Sequence, residues 1–408
     1  MKKMEVICEA WGESWVLGTL ADDGVHLLFE YSSEALSRGV EFSPRNLKLR
    51  VGAYGDFPHH QYRLPGLIAD CLPDGWGMLL MDRLIAQTGK SRGQISPLDR
   101  LGMMGDRTMG AFSFRPLLGD SIQPVEMSLL TLANEARQEM QGHDSEILKT
   151  LMMLGGSPHG ARPKALVQYD IALAQVSTLD TGLGTPWLIK FQAQNEHKEV
   201  CAIEDVYAAM ARACQLDIPK THYFDLDPSL ASFGIERFDR ENDQRVPIHT
   251  LAGLLNADFR MPSVGYETLL RATAFITHSQ RELEKAFERC VFNVIFNNRD
   301  DHAKNFSFRM NAQMHWELAP CYDLTYNEGP RGEHQMDIQG EGRAPSKAHL
   351  LELAKRNGLN INWASQVIER ISQVAETFSG VAKNHAIRKQ TIDLITRAIE
   401  ANRLRMIT

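Results

Sequence analysis

Three short runs near residues 4–10, 14–20 and 24–31 are rich in the apolar residues that strands favour, and Gly12-Glu13 and Asp22-Asp23-Gly24 separate them. Strand-like composition bounded by turn formers predicts a small antiparallel meander. Over 64–88 the spacing becomes helical (Leu67, Ile68, Cys71, then Leu79, Leu80, Leu84, Ile85) and breaks at Pro73-Asp74-Gly75. Proline removes a backbone donor and glycine disfavours helix, so the break reads as a turn. Two further helical patterns are expected at 125–139 and 143–154.

The pattern changes at Gly155-Gly156. Ala165-Leu166-Val167 and Trp187-Leu188-Ile189 read as strands on either side of a Thr/Gly-rich turn at 180–185. A helix with Val206, Met210 and Ala213 on one face follows, then strand-like runs at 221–226 and 233–238. From about 265 the chain reads as mostly helical. Leu283, Ala286, Phe287, Cys290, Val291, Val294 and Ile295 form a buried stripe. A polar loop at 297–305 ends it, two short strands flank Asn311, and helices resume at 347–357, 362–377 and 391–403. The order predicts an α+β chain, a sheet-bearing part followed by a helical one.

Composition narrows the function only slightly. Of 408 residues 43% are hydrophobic and 23% charged, an ordinary globular balance long enough for two or three lobes. A formal charge of -7 argues against a protein that coats nucleic acid, which needs a Lys/Arg surplus. The six cysteines are scattered without a C-x-x-C pair, so neither a zinc site nor a disulfide framework is expected. Met1-Lys2-Lys3 begins like a signal segment, but no sustained apolar stretch follows, and no run approaches the roughly 20 residues of a membrane span. A cytoplasmic protein that does not engage membranes is expected.

The chemistry sits in Asn298-Arg299-Asp300-Asp301-His302-Ala303-Lys304-Asn305. In protein-kinase catalytic loops an Asp accepts the substrate hydroxyl proton and an Asn five residues later holds Mg²⁺. Asp300 and Asn305 have that separation, and Asp323, beyond the strand pair, stands where a second metal-binding carboxylate is needed. A polar loop between helix and strand also collects Asp, Asn and His for solvation alone. The case therefore rests on other parts. The glycines of Gly155-Gly156-Ser157-Pro158-His159-Gly160-Ala161-Arg162-Pro163-Lys164 allow backbone N–H groups to approach phosphate, although Ala161-Arg162 departs from a Walker A motif. Lys190 lies in an apolar strand, which implies an edge position or a charged partner, Glu204 or Glu199. Both glutamates also suit an exposed helix start. Arg237 and Arg240 read equally well as a salt-bridged strand end, and His59-His60 as a solvated turn.

With these pieces in order, the chain resembles the HipA family of serine/threonine kinases, the toxin members of bacterial toxin–antitoxin pairs. The resemblance is carried by Trp15 to Leu20, Leu72-Pro73-Asp74-Gly75, Ser157 to Lys164, Lys190, Ile235 to Arg240, Asp300 to Phe306, and Tyr322-Asp323. It implies a two-lobed protein-kinase-like fold: an N-terminal subdomain over 1–118, the rest of the N-lobe with Gly-rich loop and hinge over 119–245, and a helical C-lobe over 246–408. It implies ATP and Mg²⁺ as cofactors, Asp300 as catalytic base, and Asn305 and Asp323 as metal ligands. His159, Gly160, Ala161, Arg162, Pro163 and Lys164 would form the phosphate loop and Lys190 would hold phosphates. Glu236, Arg237 and Phe238 would form the hinge beside adenine, with His302 and Lys304 lining the nucleotide site. Ser157 matches the family's autophosphorylated serine, whose modification switches the kinase off.

The partners implied are a host protein substrate, an aminoacyl-tRNA synthetase among the candidates, and a helix-turn-helix antitoxin through which DNA is contacted indirectly. Asp301 stands where a glycine is common and adds charge beside the base. Pro163 stiffens the loop. A lipid or small-molecule kinase, and a binding module or corepressor built on an inert kinase fold, are the alternative readings.

Overall fold

The strand-like start of the chain becomes β1 (Lys2–Cys8), β2 (Trp15–Asp22) and β3 (Leu27–Tyr31). In β3 every second residue is buried, the pleat's response to one apolar face. Gly12 and Gly24 lie at positive φ in the two turns. A fourth strand, β4 (Phe112–Arg115), closes the sheet in the order β3-β2-β1-β4. The computed structural model describes residues 1–118, 126–140, 148–155, 160–170, 175–177 and 184–407.

The chain divides into two units. The first comprises Met1–His197, Phe224–Asn256 and Arg309–Met314; the second comprises Lys198–Tyr223, Ala257–Phe308 and His315–Thr408. Besides the N-terminal sheet, the first unit carries β5 (Glu126–Ser128), β6 (Lys164–Asp170), β7 (Gln175–Ser177), β8 (Thr185–Phe191) and β10 (Ala231–Glu236). Together with β9 (Thr221–Asp225), whose last two residues belong to this unit, the order is β5-β7-β6-β8-β10-β9. The helix expected from 125 begins at Leu129 instead. Glu126–Ser128 is drawn into pairing with β7, a long-range partner that local periodicity does not show.

In the first unit the Glu236-Arg237-Phe238-Asp239-Arg240 run is a buried ion cluster, as its strand-end reading anticipated. Arg237 donates to both Asp239 oxygens at 2.9 and 2.8 Å, Arg240 donates to Oδ2 at 2.9 Å, and the Gly110 N–H to the same oxygen at 2.8 Å. Burial opposes the Asp239 charge, but the two guanidiniums outweigh it and hold the carboxyl well below the usual carboxylate range. Arg240 and Arg245 also donate to the Gly110 carbonyl, so this run secures the turn before β4.

The second unit is mostly helical, in accord with the α+β expectation. The stripe read from Leu283 to Ile295 becomes the helix Gln280–Ile295, buried along its length. Ser279 caps its first turn, and the buried Glu282 accepts the Leu318 N–H at 2.9 Å. Tyr207 makes edge contacts with Phe292, Phe296 and Phe378, and its hydroxyl donates to the Phe296 carbonyl at 2.6 Å. That bond fixes the C-terminal end of the helix, where the candidate loop begins. All six cysteines are buried thiols outside any disulfide. Among the described residues no helix is long and apolar enough to cross a membrane.

Breaking the Asp239 cluster takes a carboxylate charge away from two buried guanidiniums. Asp239→Asn is expected to lower the unfolding free energy by about 3–5 kcal/mol in urea titrations at pH 7. The folded carboxyl is depressed, so its stabilisation is complete above an unfolded value of about 4 and is lost as pH falls toward the folded value. The variant therefore loses part of the wild type's acid sensitivity.

Candidate active site

The helix Gln280–Ile295 ends in a short sequence of polar brackets. Asn297 adopts a left-handed φ of 55°, and the buried Asn298 turns back to Asn293 through its main chain (2.9 Å) and its amide (3.0 Å). Asp300 and Asp301 follow, then a single turn over Ala303–Asn305. The Asn305 amide donates to the Asp300 carbonyl at 2.7 Å. The five-residue separation seen in the sequence is thus a closed loop, with the Asn305 Nδ2 committed and its Oδ1 at the other end of the amide.

Asp323 lies outside regular structure at a left-handed φ of 55°, unfavourable for a residue bearing a Cβ. Its neighbour Tyr322 sets its place: the phenol donates to the Lys304 carbonyl at 2.7 Å and lies 2.6 Å from Ser307 Oγ. Asp323 is near enough for its charge to act on Asp300. Burial raises the Asp300 proton affinity, His302 offsets it, and the Asp323 and Asp301 charges raise it further. Gln335 donates to Asp300 Oδ1 at 2.7 Å. His302 packs against the Phe259 ring at 5.4 Å, and the Lys304 ammonium stands 4.4 Å from the same ring. Asp300, His302, Lys304, Asn305 and Asp323 are therefore one cluster in the second unit.

Asp301 occupies a different role from the one its position suggested. It is 1% exposed and points into the protein. Tyr266 donates to its Oδ2 at 2.8 Å, His334 Nδ1 lies 2.7 Å from the same oxygen, and the Gln335 N–H reaches Oδ1 at 2.8 Å. The expectation of a charge beside the base holds, because Asp301 contributes to the raised Asp300 affinity. Its main contacts, however, fix the strap that carries Gln335. Tyr266, His334 and Gln335 had no signal in the sequence, since they lie about thirty residues or more from the loop and match no spacing.

In the first unit, Lys164 and Lys190 are register partners on β6 and β8, and both are buried. Residues directly opposite in an antiparallel pair share a face. Because β8 lies between β6 and β10, the edge position considered for Lys190 does not apply. Its ammonium lies 5.7 Å from the Phe233 ring. Gly160 has φ 113°, and a Cβ there would collide with the Lys164 ammonium. Arg162 is held by Glu196 at 2.9 Å, and the Pro163 carbonyl accepts the Phe191 N–H at 2.9 Å. Glu236 ends β10 opposite Trp187, the Arg237 N–H donates to Pro186 at 2.9 Å, and Phe238 follows. His159 and Ser157 lie outside the described residues.

The Leu72-Pro73-Asp74-Gly75 turn has a specific task in this unit. Asp74 Oδ1 accepts the Gly160 N–H, and the Trp76 N–H donates to the Gly160 carbonyl at 3.0 Å. Gly75, at φ 42°, faces the Gly160 backbone so closely that a Cβ would overlap it. The turn therefore clamps the end of the Gly-rich loop from both sides. Of the two glutamates weighed beside Lys190, Glu199 accepts from Arg388 and Thr391 and caps the helix Lys389–Ile407. Glu204 is buried on the helix Glu199–Ala213, not exposed.

Models of two protein families match the chain: the HipA-like C-terminal domain over residues 156–378 and the HipA N-terminal domain over 8–115. The chain belongs to the HipA family. Its fold is that of a chain in the Shewanella oneidensis MR-1 toxin–antitoxin complex of HipA, HipB and operator DNA. That match has a TM-score of 0.74 at 19% identity and covers 99% of this chain and 97% of that one. The α+β fold expected from the sequence is the fold observed, shared with that HipA chain. A Haemophilus influenzae protein named "Putative kinase" is 31% identical over 106 residues, a match covering 23% of this chain and 30% of that protein. The matched part is thus under a third of that relative's length.

Two outcomes test this geometry. Asp323→Asn removes one like charge, so Asp300 is expected to titrate at lower pH, read from its side-chain carboxyl carbon by NMR. Asp301→Ala leaves the Tyr266 hydroxyl and His334 without their acceptor, at a cost of about 2–4 kcal/mol. Hydrogen exchange over 334–336 should accelerate in that variant more than elsewhere.

Proposed function

We propose that this protein is an ATP- and magnesium-dependent serine/threonine protein kinase of the HipA toxin type. The observation that carries the reading is the single loop cluster of Asp300, Asn305 and Asp323, with Asp300 half-buried and raised in proton affinity. A carboxylate poised to take a proton suits a general base. In the proposed reaction a substrate hydroxyl oxygen attacks the γ-phosphorus of ATP, its proton passes to Asp300, and ADP leaves as the bond to the β-phosphate oxygen breaks.

The donor set fits a hard cation. Two carboxylates raise each other's energy here, a repulsion that a divalent ion relieves, and Asn305 adds a neutral amide oxygen. Among the described residues no three His, Cys, Asp or Glu side chains gather as a metal cluster. Mg²⁺ suits that economy of ligands, since it retains waters and binds nucleotide phosphates. Asn305 and Asp323 would hold the ion, which would neutralise charge on the phosphates.

Lys164 and Lys190, two ammonium groups on one face, offer matching charge to phosphate oxygens. Like charges directly opposite in a sheet are costly alone. The Gly160 to Lys164 segment, with His159 preceding it, would line the same phosphates; Glu236, Arg237 and Phe238 would flank the base, and His302 and Lys304 would complete the nucleotide site. Glu204 is the proposed charged partner of Lys190. Ser157 is the proposed autophosphorylation site: a phosphate there adds about two negative charges to a loop that must receive ATP.

The partner proposed is a helix-turn-helix antitoxin, by analogy with the HipB-containing Shewanella complex. A chain of charge -7 would meet operator DNA through that antitoxin. The substrate class proposed is a host protein serine or threonine, with aminoacyl-tRNA synthetases the first to try.

The test is phosphate transfer from labelled ATP with Mg²⁺, comparing wild type with Asp300→Asn and Ser157→Asp. Asp300→Asn is expected to slow transfer by about 10²–10⁴-fold, and Ser157→Asp to remove phosphorylation of an added substrate. Equal labelling, or equal lack of it, in wild type and Asp300→Asn would refute the kinase reading.

A further inference from the structure

Within the helical unit a cleft of about 540 Å³ opens beside the helix Gln280–Ile295. Arg289 lies in its wall and is 4% exposed. One guanidinium nitrogen, Nη2, donates to the Ala319 carbonyl at 2.6 Å. The other two, Nε and Nη1, are buried and meet no oxygen or nitrogen acceptor among the described residues; the Cys321 thiol interacts with the group and the Phe306 ring lies 5.6 Å from it. A guanidinium carries five donors and cannot shed its charge, so two buried nitrogens with three N–H groups between them mark a place suited to an acceptor.

The charges around this group leave a positive surplus. Of the lining acids, Glu288 is paired with Arg370, and Asp217 lies 4.0 Å from Lys285, which Glu282 holds at 2.9 Å. Glu284 meets only Gln280, at 3.5 Å, among the contacts of the described residues. Against these stand three arginines. Arg212 donates to the Pro219 carbonyl and the Thr221 hydroxyl, neither of them a carboxylate. Arg281 is exposed and has no ion pair among the described residues. Trp363, tilted against Phe287 at 5.7 Å, supplies an apolar wall.

We propose that this cleft binds a small anion bearing carboxylate or phosphate groups, with Arg289 as its buried ligand and Arg281 and Arg212 at its mouth. Guanidinium forks match both oxyanions in two-point geometry. A lysine-lined patch would attract anions only diffusely. A buried fork with vacant donors selects one that can enter and be desolvated. The site stands on its own geometry and is independent of the kinase reading. It touches that reading at one point, because the Ala319 carbonyl held by Arg289 lies on the strand end leading to Asp323.

The test is calorimetric titration of the full chain with inorganic phosphate and, separately, with citrate, at constant ionic strength. Saturable binding with a dissociation constant in the millimolar range or tighter is expected for at least one. Arg289→Met should weaken it tenfold or more. Arg281→Ala, at an exposed position that leaves folding intact, should weaken it severalfold. Lys190→Ala should leave it unchanged, which separates this cleft from the proposed nucleotide phosphate site. Citrate binding without phosphate binding would mark a carboxylate ligand, and the reverse a phosphate ligand. No saturation by about 20 mM of either anion, affinity unchanged in both arginine variants, or loss of binding in Lys190→Ala would overturn the proposal.

Discussion

A carboxylate taken out of water must find donors for its oxygens, and Asp301 meets that demand with Tyr266, His334 and the Gln335 amide. The consequence spreads outward in both directions along the chain. Backward, Tyr266 accepts from Asn293, and Asn293 accepts from Asn298, so the last turn of the central helix and the start of the loop share one polar network. Forward, the strap at 334–336 is brought over the loop, and its Gln335 side chain reaches Asp300. The half-buried carboxylate that faces solvent is therefore positioned by the fully buried one beside it. Adjacent aspartates in one loop have opposite fates, and the reason is the direction in which each side chain leaves the backbone.

Much of this arrangement was legible from the residues. The buried helix, the loop that ends it, and the Asp-x4-Asn spacing follow from periodicity and from chemistry that needs a base and an amide at a fixed separation. The Asn305 to Asp300 hydrogen bond gives that spacing its geometric meaning. Asp323 was legible because a strand pair must intervene. Gln335 and His334 were not, since nothing local marks a strap that acts only after folding. The strand at Glu126–Ser128 and the central place of β8 were hidden for the same reason: pairing partners far apart in sequence decide them. Asp301 was noticed as an added charge, but only burial shows that it is an anchor.

The two units handle charge in different ways. In the first, opposite charges are gathered and neutralised at Asp239, while the buried Lys164 and Lys190 share a sheet face at the Gly-rich loop. In the second, two like-charged carboxylates, Asp300 and Asp323, are held close by hydrogen bonds made elsewhere, chiefly by Tyr322. A half-buried carboxylate with raised proton affinity, as at Asp300, is characteristic of functional places.

The clamp on Gly160 has a consequence for how this chain can vary. Gly75 and Gly160 lie in different stretches of sequence, yet the Gly160 backbone occupies the space that a side chain at Gly75 would need. Asp74 and Trp76 complete the grip through one side-chain oxygen and one backbone N–H. Neither stretch can drift alone: insertions that shift the turn, or a replacement of the N-terminal segment by one from a distant relative, displace the loop as well. The N-terminal subdomain and the loop it grips are thus one mechanical module, in which a change to either part is a change to both.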